Sequence, residues 1–242
     1  MISWPAGRVQ YDELDSTNSE ARRLAEKGEL GPLWISTTRQ TAGRGRRGRA
    51  WDAGQGNLAA TLLIRPGTGS ATIGQLSFVA ALAVAETVSH FAPTAAISVK
   101  WPNDVLAEGK KLAGILLEGG ADWLAIGIGI NLASFPEGTE FPATSLLEVG
   151  LAQLGLLPPP AEEALTVLAA RFSRWYDAWM SDGFDTIRDA WLARAAGLGK
   201  PIRARLPNET REGVFEGIDR TGALLLNEQG RLSSIAAAEV FF

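Results

Sequence analysis

Between Leu30 and Trp51 the chain has no acidic residue, yet Arg39, Arg44, Arg46, Arg47 and Arg49 fall within eleven positions. On this composition chance would place about one basic residue there. Gly43, Gly45 and Gly48 are interleaved with the arginines, and the combination points to anion chemistry. Glycine lets a backbone approach a ligand closely, and a guanidinium grips phosphate or carboxylate oxygens with paired N–H groups. Two phosphate-binding motifs share parts of the pattern, and both fail. The spacing G-x-G-x-x-G at 43–48 belongs to a dinucleotide-binding turn, but that turn must open a helix, and here the chain runs on toward a strand. Gly43 and Gly48 also mimic a P-loop, yet Arg49 and Ala50 stand where Lys and Ser or Thr are required. On charge alone, a solvated basic loop and a weak nucleic-acid patch stay open. Other chemistries have little to work with: there is no cysteine and a single histidine, His90. A disulfide framework, a thiolate metal site, a cysteine nucleophile and a Ser-His hydrolase are all disfavoured.

The elements that must position this loop follow from spacing. Thr17 and Glu20 have the separation of a capping box, opening a short helix with Ala21, Leu24 and Ala25 on its apolar stripe and Gly28 at its end. Strand-like runs at Leu33–Thr38 and Leu58–Ile64 place the arginine-glycine loop between two strands. From Thr72 to about His90 the apolar spacing predicts a core helix, with His90 exposed at its end. Residues 97–101 read as a strand ended by Pro102, and 105–107 with 111–117 as a hairpin around Glu108-Gly109. In the strand 123–130, Gly127 and Gly129 strip side chains from one face, which makes room for something packed against the backbone. After Pro158, Pro159 and Pro160, helices are expected at about 161–181 and 184–196. Beyond Gly197 and Gly199, short strands near 202–206, 214–218, 223–227 and 231–235 suggest a small β-barrel.

Four segments occur in order across about ninety residues: GRGRRGRAW at 43–51, KWPNDV at 100–105, KLAGILLE at 111–118 and GIGIN at 127–131. Together they resemble biotin protein ligase. Asp15-Ser16-Thr17-Asn18 is similar to the family's biotin-contacting segment, and the terminal strands are similar to its small C-terminal domain. The resemblance implies an α+β fold. A catalytic domain at 1–197 would have a mixed β-sheet with helices, of the class II aminoacyl-tRNA synthetase-like, biotin-lipoate ligase kind, and 198–242 would form an SH3-like β-barrel. The implied activity joins biotin and ATP into biotinyl-5'-AMP, with Mg2+, and then moves biotin to a lysine of a biotin carboxyl carrier protein of acetyl-CoA carboxylase or a related carboxylase. Ser16, Thr17, Asn18, Gln40, Gly43, Arg44, Arg46, Trp51, Lys111 and Gly114 are the implied biotin contacts. Arg46, Arg47, Arg49, Trp51, Asn103, Lys111 and Asn131 are the implied ATP contacts, with Arg46, Lys111 and Asp104 as the catalytic groups. Without the resemblance, Trp51 would read as a core aromatic, Asn103 and Asn131 as turn asparagines and Asp104 as an Asx-turn. Two departures stand out. No helix-turn-helix precedes Ser16, which implies no repressor function, and Ala238-Glu239-Val240 stands where the family usually has Gly-Glu-Val.

At 242 residues, with 46% hydrophobic and 21% charged residues, the chain has the composition of a folded globular protein of one large domain or a large and a small one. Its longest apolar run, Phe78 to Ala85, is far short of the roughly 20 residues that span a bilayer. No secretory signal is recognisable, so the expected address is the cytoplasm, with no membrane partner. A net charge of −4 argues against general nucleic-acid binding, so no specific DNA partner is expected. A monomer or a homodimer fits equally. Two other functions remain as alternatives: a lipoate protein ligase, and a non-enzymatic nucleic-acid binder using the basic loop.

Overall fold

The computed structural model describes residues 4–51, 54–67 and 70–242. The chain opens with β1 (Gly7–Leu14), α1 (Thr17–Glu26) and β2 (Leu33–Gln40), and after the arginine-glycine loop it returns in β3 (Leu58–Ile64). A short α2 (Ser70–Ile73) leads to α3 (Leu76–Phe91), then β4 (Ile97–Lys100), β5 (Asp104–Ala107), β6 (Lys110–Gly119) and β7 (Leu124–Ile130). Next come α4 (Ala161–Asp182) and α5 (Phe184–Leu192). The end of the chain holds β8 (Pro201–Arg205), β9 (Thr210–Ile218), β10 (Leu224–Glu228), β11 (Arg231–Ile235) and β12 (Glu239–Phe241).

The first seven strands form one mixed sheet in the order β1-β2-β3-β7-β6-β5-β4, parallel between β1 and β2 and antiparallel elsewhere. Successive side chains of a strand point to opposite faces, and the two faces are used differently. Trp34, Leu58, Ala60, Leu62 and Ile64 face a large core shared with α3 and α4. Ile35, Leu63 and Ala125 face the other way and meet Ala21 and Ala25 of α1. The helix α3 buries Leu76, the whole run Phe78 to Ala85, Thr87 and Val88, so it is apolar nearly all round because it is enclosed nearly all round. Directly paired residues share a face, and on the α1 face the ladders give a row of small residues: Gly114 opposite Gly129, and Gly129 opposite Ala59. Gly127 is paired with Thr61 on the same face.

One expectation is corrected, one is not seen and some elements are new. The capping box is not formed. Ser16 is the N-cap without a side-chain cap bond, Thr17 turns to Gln40, and the Glu20 carboxylate accepts from Arg23 at 2.6 Å and Tyr11 at 3.2 Å. A charge-assisted bond outweighs a neutral cap. Closure of the C-terminal barrel is not seen. Its strands form an antiparallel sheet in the order β11-β10-β9-β8-β12, and no ladder joins β11 to β12. Two strands, β1 and β12, went unrecognised in the sequence, as did a helical turn at Leu147–Leu151.

The two sheets share one hydrophobic core. Phe78 of α3 meets Trp191 of α5 edge-on at 5.4 Å between ring centroids, and Trp191 meets Phe215 of β9 at 6.5 Å. The Trp101 indole donates to the Gly222 carbonyl at 2.9 Å, and Gln75 joins Trp179 to the Arg220 carbonyl. Gly222 has a φ of +87°, and a Cβ there would stand 2.6 Å from the Phe78 ring. Gly222→Ala should therefore destabilise the chain by roughly 1–3 kcal/mol through backbone strain and overpacking. Urea denaturation followed by circular dichroism checks this; a midpoint unchanged from that of the parent chain would mean that the junction is loosely packed.

Candidate active site

A cavity of about 440 Å³ opens on the α1 face of the large sheet, within the size range of small-molecule sites. Its walls come from the start of α1 (Ser16, Thr17, Asn18), the end of β2 (Gln40), the arginine-glycine loop, the turn between β4 and β5, and β12. Ala59, Gly114, Gly127 and Gly129 line its floor. Both glycines of β7 are needed for close approach. A Cβ on Gly129 would fall within the Trp51 indole, and one on Gly127 would collide with the Asn18 carboxamide. The alternation of glycine with isoleucine thus clears a bare strip on which Trp51 and Asn18 lie.

One end of the cavity is a neutral hydrogen-bond network. The Thr17 backbone N–H donates to Gln40 Oε1 at 2.9 Å, and the Thr17 hydroxyl lies 3.2 Å from the same oxygen. Behind them Thr61, fully buried, places its hydroxyl 2.8 Å from Thr17 Oγ1 and 2.7 Å from Asn18 Oδ1. Asn18 Nδ2 donates to Glu118 at 2.7 Å, and Arg44 donates to both oxygens of Glu118, at 3.1 and 2.9 Å.

The other end gathers cations, of which Lys111, Arg46, Arg47 and Arg49 each face an acceptor while Lys100 faces aromatic rings. Lys111 Nζ is 2.7 Å from Asp104 Oδ1 and 5.7 Å above the Trp51 ring. Arg46 donates to Asn103 Oδ1 at 3.2 Å, and Asn103 in turn donates to the Ile115 carbonyl at 2.7 Å. Arg49 is paired with Glu239 of β12, and Arg47 approaches the same carboxylate at 3.7 Å. Burial pulls the Arg46 guanidinium below its ordinary pKa, with Asp104 opposing. Burial would raise the Glu239 carboxyl, but bonds from Arg205 and Arg49 outweigh it and hold the group below the usual carboxylate range. Lys100, only 5% exposed, sits 3.4 Å above the Phe141 ring, and burial pushes its ammonium down to about 8. At the far wall Asn131 donates to the Thr144 carbonyl at 3.0 Å, while its buried Oδ1 has no protein partner. Such an oxygen awaits a donor from a ligand or water.

Residues 12–131 match the Biotin/lipoate A/B protein ligase family, and residues 197–242 match the Biotin protein ligase C terminal domain. A biotin–acetyl-CoA-carboxylase ligase of Paracoccus denitrificans is 48% identical over 236 residues, covering 94% of this chain and 97% of that one. The chain belongs to the biotin protein ligase family. The namesake ligase of Mycobacterium tuberculosis is 34% identical over 255 residues, spanning 99% of this chain and 91% of its own. The solved biotin protein ligase of Aquifex aeolicus, in complex with biotin and ATP, superposes with a TM-score of 0.84 at 28% identity, covering 97% of each chain.

Of the site residues that the family resemblance implied, all but Gly43 and Arg47 line this one cavity. Gly43 lies beneath the wall: its carbonyl accepts from the Trp51 N–H at 2.9 Å. Arg47, at a φ of +57°, turns toward Glu239. Arg44 reaches the cavity, but its side chain is taken up by Glu118 and by Ser19 at 2.8 Å, so it is not a free cation. Sequence reasoning missed Thr61, Glu118, Lys100 and Glu239. The signals were weak: a carboxylate ending KLAGILLE and a lysine closing the short strand β4. Among the described residues no three His, Cys, Asp or Glu side chains gather as a metal cage, and Asp104, Glu140 and Glu239 each face a lysine or arginine. These groups do not fit a resident magnesium ion.

Lys100 gives a stability test. Its folded pKa of about 8 lies below the ordinary 10.5, so the unfolded chain binds its proton more tightly. The resulting cost, up to about 3 kcal/mol, is fully present below pH 8 and vanishes as pH rises through 10.5. The Phe141 ring beneath the ammonium offsets part of it. Lys100→Met should raise the melting temperature by a few degrees at pH 7, and thermal melts should show the gain shrinking toward pH 10.

Proposed function

We propose that this chain condenses biotin with ATP to biotinyl-5'-AMP, and then transfers biotin to a specific lysine of a biotin carboxyl carrier protein of acetyl-CoA carboxylase or a related carboxylase. The observation that carries this reading is the layout of one cavity: a neutral hydrogen-bond network at Thr17 and Gln40, an indole along the floor, and Lys111 and Arg46 beyond it. Biotin has matching parts, a ureido ring for the network, an apolar tail for Trp51 and a carboxylate for the cations.

The first step brings two anions together. Their repulsion at ~4 Å is about 4 kcal/mol at an effective dielectric of 20, so positive charge must stand between them. Lys111 and Arg46 supply it as a biotin carboxylate oxygen attacks the α-phosphorus and pyrophosphate leaves with the electrons of the broken P–O bond. Asn131 Oδ1, buried and without a protein partner, suits the exocyclic amine of adenine. In the second step the lysine amine attacks the acyl carbon and AMP departs. Here the Lys111–Asp104 pair matters. While Lys111 is on Asp104, that carboxylate is occupied; once Lys111 follows the phosphate, Asp104 is open to hold the incoming ammonium and take its proton. The same exchange of partners thus orders the two steps.

Exchange of labelled pyrophosphate into ATP tests the first step. Label should enter ATP when biotin is present and not when lipoate replaces it; entry with lipoate alone would make the chain a lipoate ligase, and no entry with either would refute adenylation. Lys111→Ala should slow exchange by roughly 100-fold or more, the scale of losing one transition-state donor, with a smaller effect on biotin affinity. Collapse of biotin affinity at an unchanged saturating rate would limit Lys111 to binding.

A further inference from the structure

Lys100 is a buried cation without a hydrogen-bond acceptor. Its side chain closes β4, is only 5% exposed and lines the cavity, and among the described residues its ammonium makes no ion pair or hydrogen bond. Instead it lies 3.4 Å from the Phe141 ring centroid and 5.9 and 5.6 Å from those of Phe241 and Phe242. Ring faces attract the charge but do not take up its three N–H groups as a carboxylate would. The charged groups around it are Asp104, Lys111, Glu239 and Glu140, and the three carboxylates are already held by Lys111, Arg49 and Arg205. An ammonium seated in this way costs stability at neutral pH and keeps its donors for an anion that the chain does not supply.

The sheet register indicates which anion. Ala59, Gly129, Gly114, Asp104 and Lys100 are paired in turn on five neighbouring strands, each about 4.8 Å from the next. The Trp51 indole covers Gly129, and a Cβ on Gly114 would stand 3.6 Å from Lys111 Nζ, so Lys111 occupies the middle of the row. Biotin on the Trp51 side brings its carboxylate to that middle point. An in-line displacement at phosphorus sends the leaving group to the side opposite the nucleophile, and here that side is β4.

We propose that Lys100 is a further catalytic residue, which receives the pyrophosphate as it leaves the α-phosphorus. The inference rests on the reading of this cavity as the site of adenylation. As the biotin oxygen bonds to phosphorus, the bond from phosphorus to the bridging oxygen breaks. Its electron pair stays with pyrophosphate, which gains one unit of negative charge, and no proton has to move. The Lys100 N–H groups therefore meet more negative charge in the transition state than in bound ATP, which is the condition for raising the rate and not only the affinity. Lys111 and Arg46 serve the reacting phosphate, and Lys100 serves the leaving group. The second step expels AMP, so Lys100 has no departing pyrophosphate to hold there.

The test measures two rates for the parent chain and for Lys100→Met: single-turnover formation of biotinyl-5'-AMP at saturating biotin and ATP, and transfer of biotin from supplied biotinyl-5'-AMP to an apo carrier protein. Adenylation should slow by roughly 100-fold, the scale of removing one donor to developing charge, and by about tenfold more than transfer does. The melting temperature should rise in the same variant, whereas a merely structural role would lose rate and stability together. Lys100→Arg, which restores the charge, should recover part of the adenylation rate. Lys100→Gln serves if Lys100→Met does not fold, with the same loss expected. Adenylation at the parent rate in a folded variant without the charge overturns the proposal, as does equal slowing of both steps. A parent chain that forms no biotinyl-5'-AMP removes the adenylation reading itself, and the proposal with it.

Discussion

Cations gathered in one small cavity repel each other, and the site depends on how that repulsion is held until an anion arrives. Lys111 leans on Asp104, Arg46 on Asn103, Arg49 on Glu239 and Arg44 on Glu118. These partnerships are not equivalent. Lys111 meets Asp104 through one contact, so an incoming phosphate can draw the ammonium away from the carboxylate. The Arg44–Glu118 pair has two parallel bonds and a third donor in Asn18, which suits it to a fixed role. Exchangeable and fixed pairs thus divide the cavity into a reacting end and a recognising end.

The scaffold that sets these distances is the register of the large sheet. Lys100 is paired with Asp104, Asp104 with Gly114, Gly114 with Gly129 and Gly129 with Ala59, so charge, bare backbone and methyl follow one another in a single row across five strands. A shift of one residue would turn the whole row toward the α3 core. The apolar faces of β3 and β7, enclosed by α3 and α4, prevent that shift. The second sheet contributes Glu239 from β12 and is tied to the first through Trp101, Gly222 and the Phe78 ring. Stability of the core and placement of the site are therefore linked through the same strands.

Much of this was legible in the residues. The glycines at 127 and 129 announced a close approach, and Trp51 and Asn18 are what approaches. The basic loop lies between two strands, as its flanks implied. What escaped notice was set by tertiary partners. Thr17 and Glu20 have capping-box spacing, but Gln40 and Arg23 claim their side chains. β1 is an edge strand with only Val9, Tyr11 and Leu14 partly buried, and β12 has three residues, too few for a period to emerge. Thr61 and Glu118 lie far along the chain from Thr17 and join it through strand pairing, which no local pattern reports.

The most direct measurement of the central idea is a crystal structure with a non-hydrolysable biotinyl-adenylate analogue. Lys111 and Arg46 should be found on the phosphate or its replacement, Asp104 should have lost Lys111, and the Arg44–Glu118–Asn18 contacts should be unchanged. Lys111 still paired with Asp104, with the analogue's phosphate on other groups, would contradict the account.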